Sequence, residues 1–105
     1  MEWNKKKVMV AGSGKSGIGA ADLLKKLGST VIIYDGNEKL NKEDVLAKLS
    51  DREDVKVILG ELEDSVIDNI DLMILSPGIA IDAPFVNKVR EKGVPIWGEI
   101  ELAYV

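Results

Sequence analysis

Residues 8–17 read VMVAGSGKSG, an apolar run that leads directly into a glycine-rich turn. Residues 8–11 show no alternation of apolar and polar side chains, which is typical of a strand buried on both faces of a parallel sheet. Gly12, Gly14 and Gly17 permit, in that order, a tight turn, a close approach of backbone to phosphate, and close packing of helix on strand. The stretch predicts a strand, a phosphate-binding turn and the start of a helix.

The pattern after the turn predicts a helix. Four apolar residues recur at helical spacing and predict its inner face: Ala20, Leu23, Leu24 and Leu27. Gly28 supplies the expected end of this helix.

Strand and helix patterns then alternate along the rest of the chain. Further strands are predicted at residues 30–34, 55–59, 72–75 and 95–97. Helices are predicted after the cap Asn41, at residues 65–70, and from the cap Asp82 to Gly93. Strands separated by helices pair in parallel through right-handed crossovers. The expected fold class is α/β, a Rossmann-like, doubly wound parallel sheet of about five strands with helices on both faces.

The composition restricts the classes of function. With 105 residues, of which 46% are hydrophobic and 30% charged, the chain has the size and make-up of one globular domain. Its net charge of −4 disfavours nucleic acid and membrane partners. The lack of cysteine and histidine excludes disulfides, cysteine zinc sites and imidazole as a general base. The apolar run behind the basic start is too short for a signal peptide, so a cytoplasmic location is expected.

The predicted turn carries groups that bind anions. The N–H groups of Lys15, Ser16 and Gly17 would point at a phosphate along the helix dipole, with a charge from Lys15 and a hydroxyl from Ser16. The turn also resembles the end of a P-loop, but Met9 stands where the first glycine of that motif is required. We therefore expect a nucleotide diphosphate here and reject ATP hydrolysis at this turn. A turn that only packs is the alternative.

An acidic residue, Asp35, follows Gly17 by 18 positions and ends the second predicted strand. In dinucleotide enzymes such a carboxylate accepts hydrogen bonds from a ribose, and it could equally accept the imide N–H of a uracil. As the residue before Gly36, it could instead bond its own backbone in the turn.

A second loop follows the fourth predicted strand, at residues 75–79, which read LSPGI. Pro77 holds Ser76 in an extended conformation, and Gly78 allows backbone to approach a ligand closely. The same residues would suit a turn that only ends the strand.

Four features together resemble the N-terminal domain of the Mur ligases, in particular of the members that add D-glutamate. These features are residues 10–17, Asp35, residues 75–79 and residues 98–102, which read GEIEL. The resemblance implies that residues 1–105 are the single N-terminal domain of a three-domain ligase of peptidoglycan synthesis. Such a domain binds the UDP part of UDP-N-acetylmuramoyl-L-alanine. Residues 99–105 read as a helix that has begun and not ended.

The resemblance also implies roles for individual residues. Lys15 and Ser16 would contact the diphosphate, and Asp35 the uracil. The full set of implied binding residues is Gly14, Lys15, Ser16, Gly17, Asp35, Gly36, Ser76, Pro77 and Gly78. Family members often have Thr and Arg after the aspartate, whereas this chain has Gly36 and Asn37. Of these two positions, the resemblance therefore implies a ligand contact only from the backbone of Gly36.

Mur ligases use ATP to phosphorylate a carboxylate, which the amine of the incoming amino acid then attacks. By the resemblance, ATP, magnesium and D-glutamate belong to domains that would follow residue 105. No catalytic residue, cofactor or metal is expected within this chain, which is predicted to be inactive by itself. The alternative function is an NAD(P)-binding module of a dehydrogenase or of a regulatory sensor.

Two other groups of residues are expected to be structural. The acidic cluster Glu61, Glu63 and Asp64 is interpreted as a solvated loop rather than a metal site. Trp3 and Trp97 are expected to cover the edge of the core or an interdomain surface rather than stack on a base.

Overall fold

The computed structural model describes residues 3–77, 79 and 82–98. In this part of the chain, strands and helices alternate after a 3-10 turn at Trp3–Lys5. The strands are β1 (Lys7–Ala11), β2 (Thr30–Asp35), β3 (Lys56–Leu59), β4 (Leu72–Leu75) and β5 (Ile96–Gly98). The helices are α1 (Lys15–Lys26), α2 (Lys42–Ala47), α3 (Asp64–Ile67) and α4 (Pro84–Glu91).

The described strands form one parallel sheet in the order β3-β2-β1-β4-β5. β1 lies in the centre, and its last residue, Ala11, stands opposite Tyr34 of β2 and Leu75 of β4. The winding direction reverses between β1 and β4, so the turns that follow these two strands diverge and leave a crevice at their carboxyl ends. The predicted doubly wound α/β fold is confirmed, and the glycine turn lies at this switch point.

Helices cover both faces of the sheet, which explains the unbroken apolar run in β1. Val8 and Val10 pack on the side of α1 and α2, whereas Met9 and Ala11 pack on the side of α3 and α4. All four side chains are fully buried. Burial of a valine or methionine side chain stabilises the fold by about 1.5–3 kcal/mol, so β1 is a strong anchor for the turn that follows it.

The buried face of α1 differs from the prediction. Leu24 is fully buried, but Leu23 is 38% exposed and Leu27 36% exposed. Ala20 is buried as predicted, and Gly17, Ile18 and Ala21 are buried with it. The small residues among them allow the helix to approach the sheet closely, which leaves Leu23 and Leu27 at its margin. The prediction for Leu23 and Leu27 was therefore wrong.

The helix starts bear out one capping prediction and contradict another. Asn41 caps α2, and its side chain accepts hydrogen bonds from two backbone N–H groups of the first turn. α4 begins at Pro84 with Ala83 as its N-cap, so the prediction of Asp82 as the cap was wrong. Pro84 has no backbone N–H, so the first turn of α4 has one donor fewer for a capping side chain to accept.

The edge of the core is closed by two tryptophans, as expected. Trp3 and Trp97 pack edge to face with their ring centroids 5.9 Å apart, at the margin of the core that α1 and α2 cover. Residues 99–105, which were predicted to begin a helix, lie outside the described residues. Within the described ranges, each helix is too short or too polar to cross a membrane.

Candidate functional site

A cleft of about 470 Å³ opens at the carboxyl ends of β1, β2 and β4. The walls contain the three segments that the sequence predicted to bind a ligand: residues 12–17, residues 35–36 and residues 76–77. Gly78, which was predicted with them, lies outside the described residues. The fold thus brings the glycine turn, the end of β2 and the loop after β4 around one space.

The glycine turn packs tightly on the loop after β4. Gly12 has a φ of +106°, and a Cβ atom added there would lie 2.7 Å from the Oγ of Ser76. A Cβ atom at Gly17 would overlap the carbonyl oxygen of Gly12. The N–H of Gly12 also donates to the carbonyl of Tyr34 over 2.7 Å. Both positions therefore require glycine, in the tight-turn and helix-packing roles inferred from their spacing.

Gly14 is the N-cap residue of α1, and no side chain caps this helix. The first intrahelical bond runs from the N–H of Ile18 to the carbonyl of Gly14, over 3.0 Å. The N–H groups of Lys15, Ser16 and Gly17 precede that bond and have no acceptor within the helix. A Cβ atom at Gly14 would meet none of the described residues within 4 Å. This end of α1 is thus open to the cleft and suited to bind an anion.

A lysine to which the sequence analysis gave no role also reaches the turn. Lys48 follows α2, and its Nζ lies 3.5 Å from the carbonyl oxygen of Ser13, 35 positions away in sequence. Together with Lys15 and Ile18 it lines a groove of about 310 Å³ that continues from the cleft at Lys15. The approach of Lys48 depends on how α2 packs beside α1, and no local pattern in the sequence marks it.

Asp35 ties the end of β2 to the glycine turn. Its Oδ2 accepts a hydrogen bond from the hydroxyl of Ser13 at 2.7 Å and another from the N–H of Ser13 at 3.1 Å. Its Oδ1 accepts from the N–H of Asn37 at 2.9 Å. The structure thus contains the local turn bond that was one of the three interpretations of Asp35. A carboxylate has about four acceptor positions, so one remains open for a ligand.

These contacts also set the charge state of Asp35. Burial acts to raise the pKa of the carboxyl group, but the hydrogen bonds from Ser13 and Asn37 and the charge of Lys48 lower it more. The pKa therefore lies below its usual value. Asp35 is ionised at neutral pH and can only accept hydrogen bonds, which agrees with its predicted role as an acceptor.

Two cleft residues, Tyr34 and Phe85, lie outside the segments that the sequence predicted to bind a ligand, whereas Ser13 and Ile79 belong to the predicted turn and loop but were given no role of their own. Tyr34 packs on Phe85 with ring centroids 5.0 Å apart and donates its hydroxyl to the carbonyl of Gly60 over 2.5 Å. Burial is the main cause that raises the pKa of Tyr34. The two rings form an apolar wall next to Asp35. Tyr34 could have been found as the residue before Asp35, whereas Phe85 reaches the cleft only through the packing of α4.

A second groove, of about 590 Å³, is lined by the end of β4 and the loop after it, by Arg90 of α4, and by residues of β5 and the connection that precedes it. It is larger than the cleft, but neither the glycine turn nor Asp35 lines it. Of these two spaces, the cleft is the one in which a helix N-terminus and a carboxylate converge. We therefore place the candidate site there.

The acidic cluster at the start of α3 takes part in ion pairs. Asp64 lies 2.8 Å from the Nζ of Lys88 and 4.0 Å from that of Lys92. The hydrogen bond and charge of Lys88 hold the pKa of Asp64 below its usual value. Among the residues described in the structure, no group of three or more acidic side chains is arranged to hold a metal ion.

Solved structures with this fold include a peptide ligase and a dehydrogenase. A pseudomurein peptide ligase type C from Methanothermus fervidus superimposes with a TM-score of 0.74 at 24% identity, covering 94% of this chain and 20% of that one. Shikimate dehydrogenase from Aquifex aeolicus superimposes with a TM-score of 0.66 at 14% identity, covering 97% of this chain and 45% of that one. At these identities the likeness concerns the fold alone.

Curated relatives are more similar in sequence to this chain than these solved structures are. The UDP-N-acetylmuramoylalanine--D-glutamate ligase of Lachnospira eligens is 49% identical over 99% of this chain, and that of Clostridioides difficile is 38% identical over 99%. The chain spans only 23% of the length of each. Residues 6–98 match the family described as Mur ligase MurD-like, N-terminal domain. The chain therefore belongs to the MurD-like N-terminal domain family of the Mur ligases.

Proposed function

We propose that this chain binds the UDP part of UDP-N-acetylmuramoyl-L-alanine, as the N-terminal domain of a larger, ATP-dependent ligase that adds D-glutamate in peptidoglycan synthesis. The observation that carries this proposal is the single cleft in which the glycine turn, Asp35 and the loop after β4 meet, in a member of the MurD-like family. The names of the curated relatives support the substrate and the amino acid.

The diphosphate would lie at the N-terminus of α1. The N–H groups of Lys15, Ser16 and Gly17 point out of the first turn of a helix that has no capping side chain. The open space beside Gly14 allows phosphate oxygens to come within hydrogen-bonding distance of this backbone. The net charge of the chain, −4, repels anions at long range, so capture depends on these local groups.

The uracil would bind at Asp35. Three hydrogen bonds from Ser13 and Asn37 leave the carboxylate about one open acceptor position. A uracil offers a single imide N–H, which matches one acceptor. A ribose hydroxyl fits the same position, so the preference for a uridine nucleotide over NAD(P) rests on the MurD-like family to which the chain belongs.

The described residues do not fit ATP and magnesium, which the family implies for the whole enzyme. Met9, at the P-loop position that requires glycine, is fully buried in β1. The described acidic residues form no cluster suited to a metal. ATP, magnesium and D-glutamate would therefore bind the part of the ligase outside this chain. This chain would carry out no phosphoryl transfer itself. The role of this domain is to hold the substrate.

The proposal is tested by titrating the ¹⁵N-labelled 105-residue chain with UDP, UDP-N-acetylmuramoyl-L-alanine and NADH. Two-dimensional NMR detects weak binding, which is expected because much of the substrate would contact the rest of the ligase. We expect saturable shifts of the amides of Gly14, Lys15 and Ser16 with both uridine ligands. Saturable binding of NADH without binding of UDP would overturn the proposal in favour of a dinucleotide module.

A further inference from the structure

Lys48 is an exposed cation beside the glycine turn that lies within 4.0 Å of no carboxylate among the described residues. Its Nζ lies 3.5 Å from the carbonyl oxygen of Ser13, which is long for a hydrogen bond, and its charge helps to lower the pKa of Asp35. Lys25 and Lys88, by comparison, lie 3.8 Å from Asp51 and 2.8 Å from Asp64. What distinguishes Lys48 is its position beside the glycine turn.

Lys48 and Lys15 form a local positive patch. Both line the groove of about 310 Å³, together with Ile18. Two like charges held side by side repel each other, and an anion that binds near both removes that repulsion. The chain as a whole carries a net charge of −4, so this patch is locally positive on a protein whose overall charge is negative. The arrangement points to an anion with more than one charged group.

The charge of the proposed ligand exceeds what the turn supplies. A diphosphate that links a nucleoside to a sugar has one negative charge on each phosphate. Lys15 contributes one positive charge, and the N-terminus of α1 contributes about half a charge. A second cation would bring the positive charge of the site closer to the charge of the diphosphate, and Lys48 lies beside the turn on the α2 side.

We propose that Lys48 is a second cationic residue of the diphosphate site. Its flexible side chain leaves the carbonyl of Ser13 and donates to a phosphate oxygen when the ligand binds. This inference rests on the proposed function, since it adds a binding residue to the same site. It predicts that Lys48 contributes to the binding of the diphosphate and not of the nucleoside.

The experiment compares UDP with uridine as ligands of three single variants, by NMR titration at low ionic strength. Lys48→Met removes the charge and keeps the length of the side chain, and Lys48→Arg keeps the charge. Lys26→Met, at the exposed far end of α1, is the control for the loss of one unit of net charge. We expect Lys48→Met to weaken UDP binding about five-fold, with uridine binding unchanged. Lys48→Arg and Lys26→Met should stay within about two-fold of the wild type.

The outcomes separate this inference from the function on which it rests. If Lys48→Met weakens UDP binding no more than Lys26→Met does, Lys48 is not a binding residue, although the site itself stands. If Lys48→Met weakens UDP and uridine equally, Lys48 only supports Ser13, and the inference is again overturned. If the wild type binds no UDP, the proposed function fails and the role of Lys48 fails with it.

Discussion

Ser13 and Asp35 join the glycine turn to the end of β2, because one carboxylate oxygen of Asp35 accepts both the hydroxyl of Ser13 at 2.7 Å and its N–H at 3.1 Å. Ser13 is 4% exposed, so its hydroxyl has little access to water as an alternative partner. The turn is therefore held in place before any ligand arrives. This preorganisation lowers the entropic cost of binding a phosphate there.

Ser13→Ala should destabilise the fold by about 1–2 kcal/mol at neutral pH, since it removes a hydrogen bond to an ionised group. The pKa of Asp35 lies below its usual value, so this stabilisation is complete above the unfolded-state pKa and is lost as the pH falls through the folded-state pKa. The difference between wild type and Ser13→Ala should therefore shrink below about pH 4. Urea unfolding over a range of pH measures it. The exposed Ser16→Ala is the control, and an equal cost for both variants would contradict the prediction.

Gly17→Ala should destabilise the fold by more than about 2 kcal/mol, because the added methyl group would overlap the carbonyl oxygen of Gly12. Gly19→Ala lies in the same helix, and its methyl group would meet none of the described residues within 4 Å. It should stabilise the fold by about 0.5–1 kcal/mol through helix propensity. Urea unfolding of both variants is the measurement, and effects of the same sign would show that α1 does not pack as described.

Gly14→Ala should separate binding from folding. The added methyl group would meet none of the described residues within 4 Å, so the loss of stability should stay below about 1 kcal/mol. The same methyl group would occupy the space next to the phosphates and weaken UDP binding about ten-fold or more. Thermal unfolding and NMR titration measure the two effects. Unchanged UDP affinity in a folded variant would place the diphosphate elsewhere.

Asp35→Ala should abolish the preference for an unmodified uracil. In the wild type, UDP should bind about ten-fold more tightly than N3-methyl-UDP, which lacks the imide donor, because a hydrogen bond to a charged acceptor is lost. In the variant, the two ligands should bind equally and both more weakly than UDP binds the wild type. This comparison isolates the base contact from any loosening of the turn. Equal affinity of the wild type for both ligands would remove the uracil role from Asp35.

Leu24→Ala should cost about 2–5 kcal/mol of folding free energy, because the side chain is fully buried between α1 and the sheet. Leu23→Ala removes the same atoms from a side chain that is 38% exposed and should cost less than about 1 kcal/mol. Urea unfolding of this adjacent pair tests the orientation of α1. A larger loss of folding free energy in Leu23→Ala than in Leu24→Ala would mean that Leu23 is buried, as its helical spacing predicted.

The local sequence determined much of the fold and the place of the site. The apolar run of β1 predicted a strand buried on both faces, and the spacing of Gly12, Gly14 and Gly17 predicted the turn and the helix start. These signals are local, since strand burial, turn conformation and helix capping depend on neighbouring residues. The order of strands and helices then implied a parallel sheet, whose carboxyl edge gathers the turns.

Tertiary packing decided which side chains meet at that edge. Ser13 and Asp35 are 22 positions apart and Ser13 and Lys48 are 35 apart, so no short-range pattern marks either contact. The exposure of Leu23 was also set by packing, because the buried face of α1 is shifted toward the small residues Gly17 and Ala21. Helical periodicity indicates that a face is apolar, but the fit against the neighbouring layer decides which residues it buries.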